Sequence, residues 1–456
     1  MLQRLLTRPD RLFLVLATLF GLVFVAAIPP LGGGNETFNF QRAAAIAAGH
    51  PLIEPAAVRP GIVDLIDAGW AAFPSGSQPP YGYSLDTWRR AAAIPLDGPE
   101  KTLQPNPIAV LHPLSYTPQV PLLWLGGALG LPPLVLFYLG RLGGLIAGIG
   151  LTALAIRTMP SHRFALCALA LLPTVTFTRS TLDADQLTTG LAFLLAAMIL
   201  AETVRRDAIG TGALLRLAAA AFVLAQCKTA YLVLPLLAFA IPRARFASTR
   251  AYAGAMALIV LPGALASFAW MLALKLTYFS GIEYRTWAGL VQPDRQVALI
   301  LSDPLGYAAV LGRTLVQTPL LYDSVTGFLG VFGPPVSFPA PAYAVLFALL
   351  LFVLVSDPTS RAADYARTVR WLAVAIFVAG IVLILTLLYI QWTGYGSPTI
   401  QGFQGRYLYP LAPLPLILLR TSGGPLLGLS AGAWTALLAM VGFAGALWIS
   451  LETYYG

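Results

Sequence analysis

Glu36 stands in GGGNETFNFQRAAAIAAG, directly after the first long apolar run of the chain. Asn35 suits an N-cap and Gly49 a C′ position, so the residues between them read as a short helix. It is too short to cross a bilayer and would lie along its surface. Glu36, in the first turn, either complements the helix dipole or serves as a general base held at the membrane mouth. RSTLDADQ sets Asp183 and Asp185 on a turn beside Arg179. A carboxylate left in hydrocarbon costs about 2.5–3.5 kcal/mol, so this pair needs Arg179, a cation or water. Asp-x-Asp is also a way to hold Mg2+ or Mn2+ beside phosphate oxygens. Lys228, in AQCKTAY, is either a snorkelling lysine at a helix end or a partner for phosphate or carboxylate. In GFQGRYLYPLAPLPLILL, Gly402 and Gly405 give a tight turn before Arg406. That arginine either anchors an interface with Tyr407 and Tyr409 or grips phosphate with its planar fork. LHPLSYTPQVPLLWLGGALG reads as a second surface helix, with His112, Tyr116 and Gln119 as cavity liners or interfacial side chains.

The elements that must position these groups follow from composition. Of 456 residues, 58% are hydrophobic and 10% charged, and the mean hydropathy is +0.76. No soluble domain hides that much apolar surface, so the bilayer is the solvent for most of it. The apolar runs are continuous rather than alternating, which argues against a β-barrel. The net charge of +9 comes from single Lys and Arg residues at the ends of apolar runs. That is a topology signal and not a nucleic-acid face. Cys167 and Cys227 lie in or beside apolar runs and make no disulfide framework.

The fold class is therefore all-α and polytopic, with about 11 spans near 12–30, 132–156, 164–178, 187–203, 212–227, 230–242, 252–275, 340–356, 371–391, 407–420 and 425–449. With the N-terminus in the cytoplasm, Arg4, Arg8 and Arg11 share one side with Arg157 and Arg163, Arg205 and Arg206, Arg243, Arg245 and Arg250, Arg361, Arg367 and Arg370, and Arg420. Every short loop on that side is basic, as orientation requires. The C-terminus and most acids then lie outside, together with two long segments at 31–131 and 276–339 that cap the spans. Several central spans are short: 164–178 reaches roughly 22 Å at 1.5 Å per residue, against about 30 Å of hydrocarbon. Polar loops at that depth belong in a cavity, which places one opening outward near RSTLDADQ and AQCKTAY. No internal repeat is visible.

NETFNFQRAAAIAAG, HPLSYTPQVPLLWLGGALGLPPLVLFYLGRLGGLIA, LPTVTFTRSTLDADQLTTGLAFL, KTAYLVLPLLAFAIPRARF and QGRYLYPLAPLPL occur in this order over nearly the whole chain. In this the chain resembles a bacterial family of polytopic membrane proteins catalogued as domain of unknown function 2142. More distantly it resembles the GT-C superfamily of membrane glycosyltransferases. The resemblance implies a first periplasmic loop with an acid after span one and two membrane-surface helices, matched by Glu36 with its helix and by the 112–130 helix. It implies a single transmembrane domain in the bacterial inner membrane, with the site facing the periplasm. The donor would be a polyprenyl-phosphate or -pyrophosphate sugar and the acceptor a cell-envelope glycan, lipid or protein. Members usually show Asp-Glu where this chain has Asn35-Glu36, and often His at Asn39. The chemistry of such a transfer fits the residues, with Glu36 as catalytic base and Arg406, Lys228 and Arg179 on the donor phosphate. Asn35, Asn39, Arg42, His112, Tyr116, Gln119, Tyr231, Gln404 and Tyr407 would line the substrate. A Mg2+ or Mn2+ ion, if used, would sit at Asp183 and Asp185. The other classes to weigh are a flippase for lipid-linked glycans and a non-catalytic envelope-assembly subunit.

Overall fold

In hydrocarbon a chain must pair its own backbone polar groups, which an unbroken helix does within one segment. The computed structural model describes residues 2–73, 79–277, 283–286, 288–330, 337–421 and 423–456. Among these, six helices are long and apolar enough to cross a membrane: Pro9–Ala27, Pro133–Thr158, Asp185–Val204, Thr249–Thr277, Arg367–Gln391 and Ala431–Tyr455. Thr211–Cys227, Thr229–Ala240 and Ala340–Ser356 are shorter apolar stretches. The protein is all-α and polytopic. The strands among the described residues are two short antiparallel pairs, Ala56–Val58 with Lys101–Leu103 and Tyr284–Thr286 with Gly289–Val291.

Three of the expected spans are interrupted, and prolines account for it. The 164–178 stretch is two helices, Arg163–Ala170 and Pro173–Ser180. The 230–242 stretch is the 3-10 turns Thr229–Tyr231 and Leu234–Ala240, the second entered through Pro235. The 407–420 stretch is the 3-10 helix Gly405–Leu411, with Pro410 inside it, followed by Pro413–Leu416. Proline removes a helix N–H and its ring crowds the carbonyl of the preceding turn. The last span runs over Ala431–Tyr455 rather than 425–449. Residues before it form a turn closed by paired Leu426–Leu429 bonds, and Ser430 caps the helix by accepting the Ala433 N–H at 3.3 Å.

Short helices stand at both expected places: Glu36–Ala47, and Val120–Ala128 in the stretch expected as one helix over 112–130, where Pro113–Tyr116 is a separate 3-10 turn. Gly49 ends the first with φ +95°, a conformation that favours glycine. The Asn35 side chain, expected as a cap, makes no capping bond. Segment 31–131 packs its own core, in which Phe40, Leu65, Tyr116 and Leu123 meet Phe137 and Leu182.

The helix Pro133–Thr158 carries Gly140, Gly144 and Gly148 at four-residue spacing, hence on one face. That face receives the turn after Ser180 and the start of the helix Asp185–Val204. A Cβ on Gly140 would lie 2.5 Å from Leu182 Cδ1, and one on Gly144 1.6 Å from Gln186 Oε1. The Leu182 and Gln186 side chains thus lie over the space a Cβ would take, and the turn packs close to this helix.

Candidate functional site

The interrupted segments matter because each leaves polar side chains where a regular helix would have buried its backbone. Lys228 ends the helix Thr211–Cys227 in an extended conformation. Its Nζ lies 2.5 Å from Asp185 Oδ1 and 5.3 Å from the centre of the Tyr407 ring. The Arg406 guanidinium lies 5.8 Å from the same ring. Tyr231 O–H donates to the Tyr407 carbonyl at 3.0 Å, tying two of the breaks together. Asp183 Oδ1 accepts the Asp185 N–H at 2.8 Å, which shapes the acidic turn. Arg179, Asp185, Gln186, Arg406 and Tyr409 line one small cavity of about 20 Å3, room for roughly one water.

The charges in this cluster hold one another. Burial and the neighbouring Asp185 push the Asp183 carboxyl up to about 6, against the pull of Arg406 and Lys228. Burial works against the Lys228 ammonium, but Asp185, Tyr407 and Asp183 outweigh it and raise its pKa. Arg406 is likewise raised, because Tyr407, Asp183 and Asp185 overcome its burial. In this cluster, among the described residues, the buried Arg406 Nε and Arg179 Nη1 have no hydrogen-bond partner. Arg179, expected to neutralise the acids, instead donates to the Ala170 carbonyl at 3.1 Å and lies 5.2 Å from the Phe13 ring centre. Asp185 is paired with Lys228, a cation from another element.

Glu36 is placed differently from the open carboxylate expected at a membrane mouth. Its side chain is wholly buried and forms a two-pronged pair with Arg141, which is also wholly buried. Arg141 Nε donates to Oε1 at 2.7 Å and Nη2 to Oε2 at 2.6 Å. The Leu182 N–H adds a bond to Oε1 at 2.7 Å, and the Gly33 N–H one to Oε2 at 3.1 Å. Both oxygens are thus committed, and no face is left to take a proton from a substrate.

Residues 18–415 match the family described as "Predicted membrane protein (DUF2142)". The chain belongs to that family. No curated protein and no solved structure matches it. The matched stretch contains all the candidate residues from Asn35 to Tyr407.

Within this DUF2142 chain the remaining candidates divide into two groups. Gln119 belongs with the cluster: its Nε2 donates to Gln186 Oε1 at 2.8 Å and to the Asp183 carbonyl at 3.4 Å. Gln404 opens the Arg406 turn, its carbonyl accepting the Tyr407 N–H at 2.9 Å. The others brace the 31–131 segment. Tyr116 O–H donates to Asn39 Oδ1 at 2.7 Å, and Asn39 Nδ2 to the Asn35 carbonyl at 2.9 Å. Arg42 donates to the carbonyls of Leu52 at 3.0 Å and Pro51 at 2.7 Å. His112 Nδ1 accepts the Leu114 N–H at 3.2 Å, and its ring packs 4.8 Å from that of Trp270. A larger cavity of about 600 Å3 lies in the 31–131 segment, lined in part by Phe40, Ile62, Arg59, Asp97 and Trp124. It contains none of the clustered charges.

The donor set does not suit a dedicated Mg2+ or Mn2+ site. Asp183 and Asp185 are already faced by an ammonium and a guanidinium, and among the described residues no group of three or more His, Cys, Asp and Glu is placed to hold a metal. The residue that sequence reasoning passed over is Arg141. Its signal was present: an arginine inside the apolar run PLVLFYLGRLGGLIA needs a partner at membrane depth.

Proposed function

We propose that this DUF2142 protein is a GT-C-like glycosyltransferase of a bacterial inner membrane. It moves a sugar from a polyprenyl-phosphate or -pyrophosphate carrier to a cell-envelope acceptor on the periplasmic side, with inversion at the anomeric carbon. The observation that carries this reading is the meeting of Asp183, Asp185, Lys228 and Arg406 at three helix breaks. Lys228 and Arg406 face the two carboxylates, and Arg179, turned away from them, lines the small cavity with Asp185 and Arg406, so one guanidinium near the cluster is not balanced by either acid. Two of those cations have a guanidinium nitrogen still without a partner, and planar arginine forks bind phosphate oxygens well.

The chemistry is then a single displacement. An acceptor hydroxyl oxygen attacks the anomeric carbon, and the bond from that carbon to the phosphate oxygen breaks. Lys228 and Arg406 meet the charge that grows on the departing lipid phosphate. The acceptor proton passes to Asp183, whose raised pKa makes it a stronger base than an ordinary carboxylate while leaving it ionised at pH 7. Asp185 holds the Lys228 ammonium in place. The base role expected of Glu36 thus passes to Asp183. This reading takes the N-terminus as cytoplasmic and the 31–131 segment as periplasmic, which the basic loops support.

The test uses the full chain in lipid nanodiscs with undecaprenyl phosphate as probe, followed by transfer from undecaprenyl-phosphoryl sugars to envelope extracts. Binding that falls at least tenfold in Lys228→Met, and transfer abolished in Asp183→Asn with binding retained, is the expected result. No binding of the lipid phosphate by the wild-type chain overturns the reading. Movement of the lipid across sealed vesicles with no glycosylated product would identify a flippase instead.

A further inference from the structure

We propose that Glu36 and Arg141 form a positioning pair that fixes the turn presenting Asp183 and Asp185. The role assigned to that turn rests on the reading above; the geometry of the pair does not. Glu36 Oε1 is shared between Arg141 Nε and the N–H of Leu182, the residue directly before Asp183. The other donors of Arg141 go to the end of the first span: Nη1 to the carbonyls of Val25 at 2.9 Å and Ile28 at 2.8 Å, and Nη2 to that of Pro29 at 2.9 Å. The last carbonyls of a helix have no partner within it, so Arg141 supplies what that helix end lacks. One ion pair therefore joins four parts of the chain: the end of the first span, the start of the surface helix Glu36–Ala47, the middle of Pro133–Thr158, and the acidic turn.

Two further contacts lock the turn from behind. Leu182 closes over Gly140, one residue before Arg141. Gln186 closes over Gly144 while its Nε2 donates to the Arg179 carbonyl at 2.7 Å. The turn is pinned on both sides of Asp183, so the direction of the Asp183 and Asp185 carboxylates follows from the pair. Packing alone would not need charge here, since well-packed apolar residues hold helices together as well as a buried ion pair does. What apolar side chains cannot do is accept the Leu182 N–H. That bond is the specific service of Glu36.

The experiment compares the wild-type chain in nanodiscs with Glu36→Gln and with the double variant Glu36→Leu/Arg141→Met, which leaves no lone buried charge. A third variant, Phe20→Ala, removes a core ring stacked 4.1 Å from Phe443 and serves as a stability control away from the turn. Amide hydrogen exchange over residues 181–186 and binding of undecaprenyl phosphate are measured together with the melting temperature. The double variant is expected to exchange at least tenfold faster at 181–186 and to bind at least tenfold more weakly. Phe20→Ala is expected to melt earlier with neither change. Unchanged exchange at 181–186 in the double variant overturns the proposal, and so does a Phe20→Ala chain that reproduces both effects. If the wild-type chain binds no lipid phosphate, the glycosyltransferase reading fails while the exchange result still decides the positioning role.

Discussion

Replacing Gly144 by alanine tests the close approach on which the whole site rests. The added methyl would lie 1.6 Å from Gln186 Oε1 and 2.2 Å from its Cδ, so Gln186 must move. Moving it breaks the bond from Gln119 Nε2 at 2.8 Å and the bond to the Arg179 carbonyl at 2.7 Å. Overpacking of a filled interior costs about 1–3 kcal/mol, and two buried hydrogen bonds add about 0.5–1.5 kcal/mol each. Alanine recovers about 0.5–1 kcal/mol over glycine within a helix. The net expectation is a loss of about 1–5 kcal/mol, read by thermal and denaturant unfolding in detergent micelles. Gln186→Ala alone costs the hydrogen bonds without the clash. The double variant Gly144→Ala/Gln186→Ala should then be more stable than the sum of the single losses, because the methyl group moves into the space Gln186 vacates. A Gly144→Ala chain as stable as wild type, or strict additivity in the cycle, would refute the close approach and with it the placement of the acidic turn.

Glu36→Gln leaves the buried Arg141 guanidinium without its counter-charge and should destabilise the chain by about 3–5 kcal/mol; the double variant Glu36→Leu/Arg141→Met should lose less, as unfolding in micelles will read. Asp183→Asn keeps the acceptor for the Asp185 N–H and removes a carboxyl whose pKa is raised from 3.8 to about 6. Between those values the folded chain holds a proton that the unfolded chain has released, so stability falls as pH rises through that window and stays lowered above it. The asparagine variant should therefore melt higher than wild type at pH 8 and nearly the same at pH 3.5; a gain of equal size at both values would count against it. If Asp183 takes the acceptor proton, transfer should rise with pH through about 6 in the wild type, and a flat profile would exclude that role. Asp185→Asn frees the Lys228 ammonium from its 2.5 Å partner and should strengthen binding of lipid phosphate while slowing transfer, measured by titration and by single-turnover assays.

Much of this protein can be read without its tertiary structure. An apolar content of 58% with 10% charge compels helices in a bilayer. The apolar pattern runs the spans straight through the prolines at 173, 235, 410, 413 and 415, where the folded chain breaks them, but Asp183, Asp185, Lys228 and Arg406 stand out in the sequence because charge at such places needs a reason. These are local properties, set by how residues close in sequence pack into turns. Which charge meets which is another matter. Glu36 and Arg141 are 105 residues apart, and the turn that both serve comes 146 residues after Glu36. A sequence prints no depth, so it could not tell an acid at a wet mouth from one sealed behind a helix. That was decided by the glycine face of Pro133–Thr158, which lets the acidic turn sit against the backbone and brings Glu36 to Arg141 in the dry interior. There every hydrogen bond of both groups must be met by protein, and the cations left facing Asp183 and Asp185 are those that the other two helix breaks bring in.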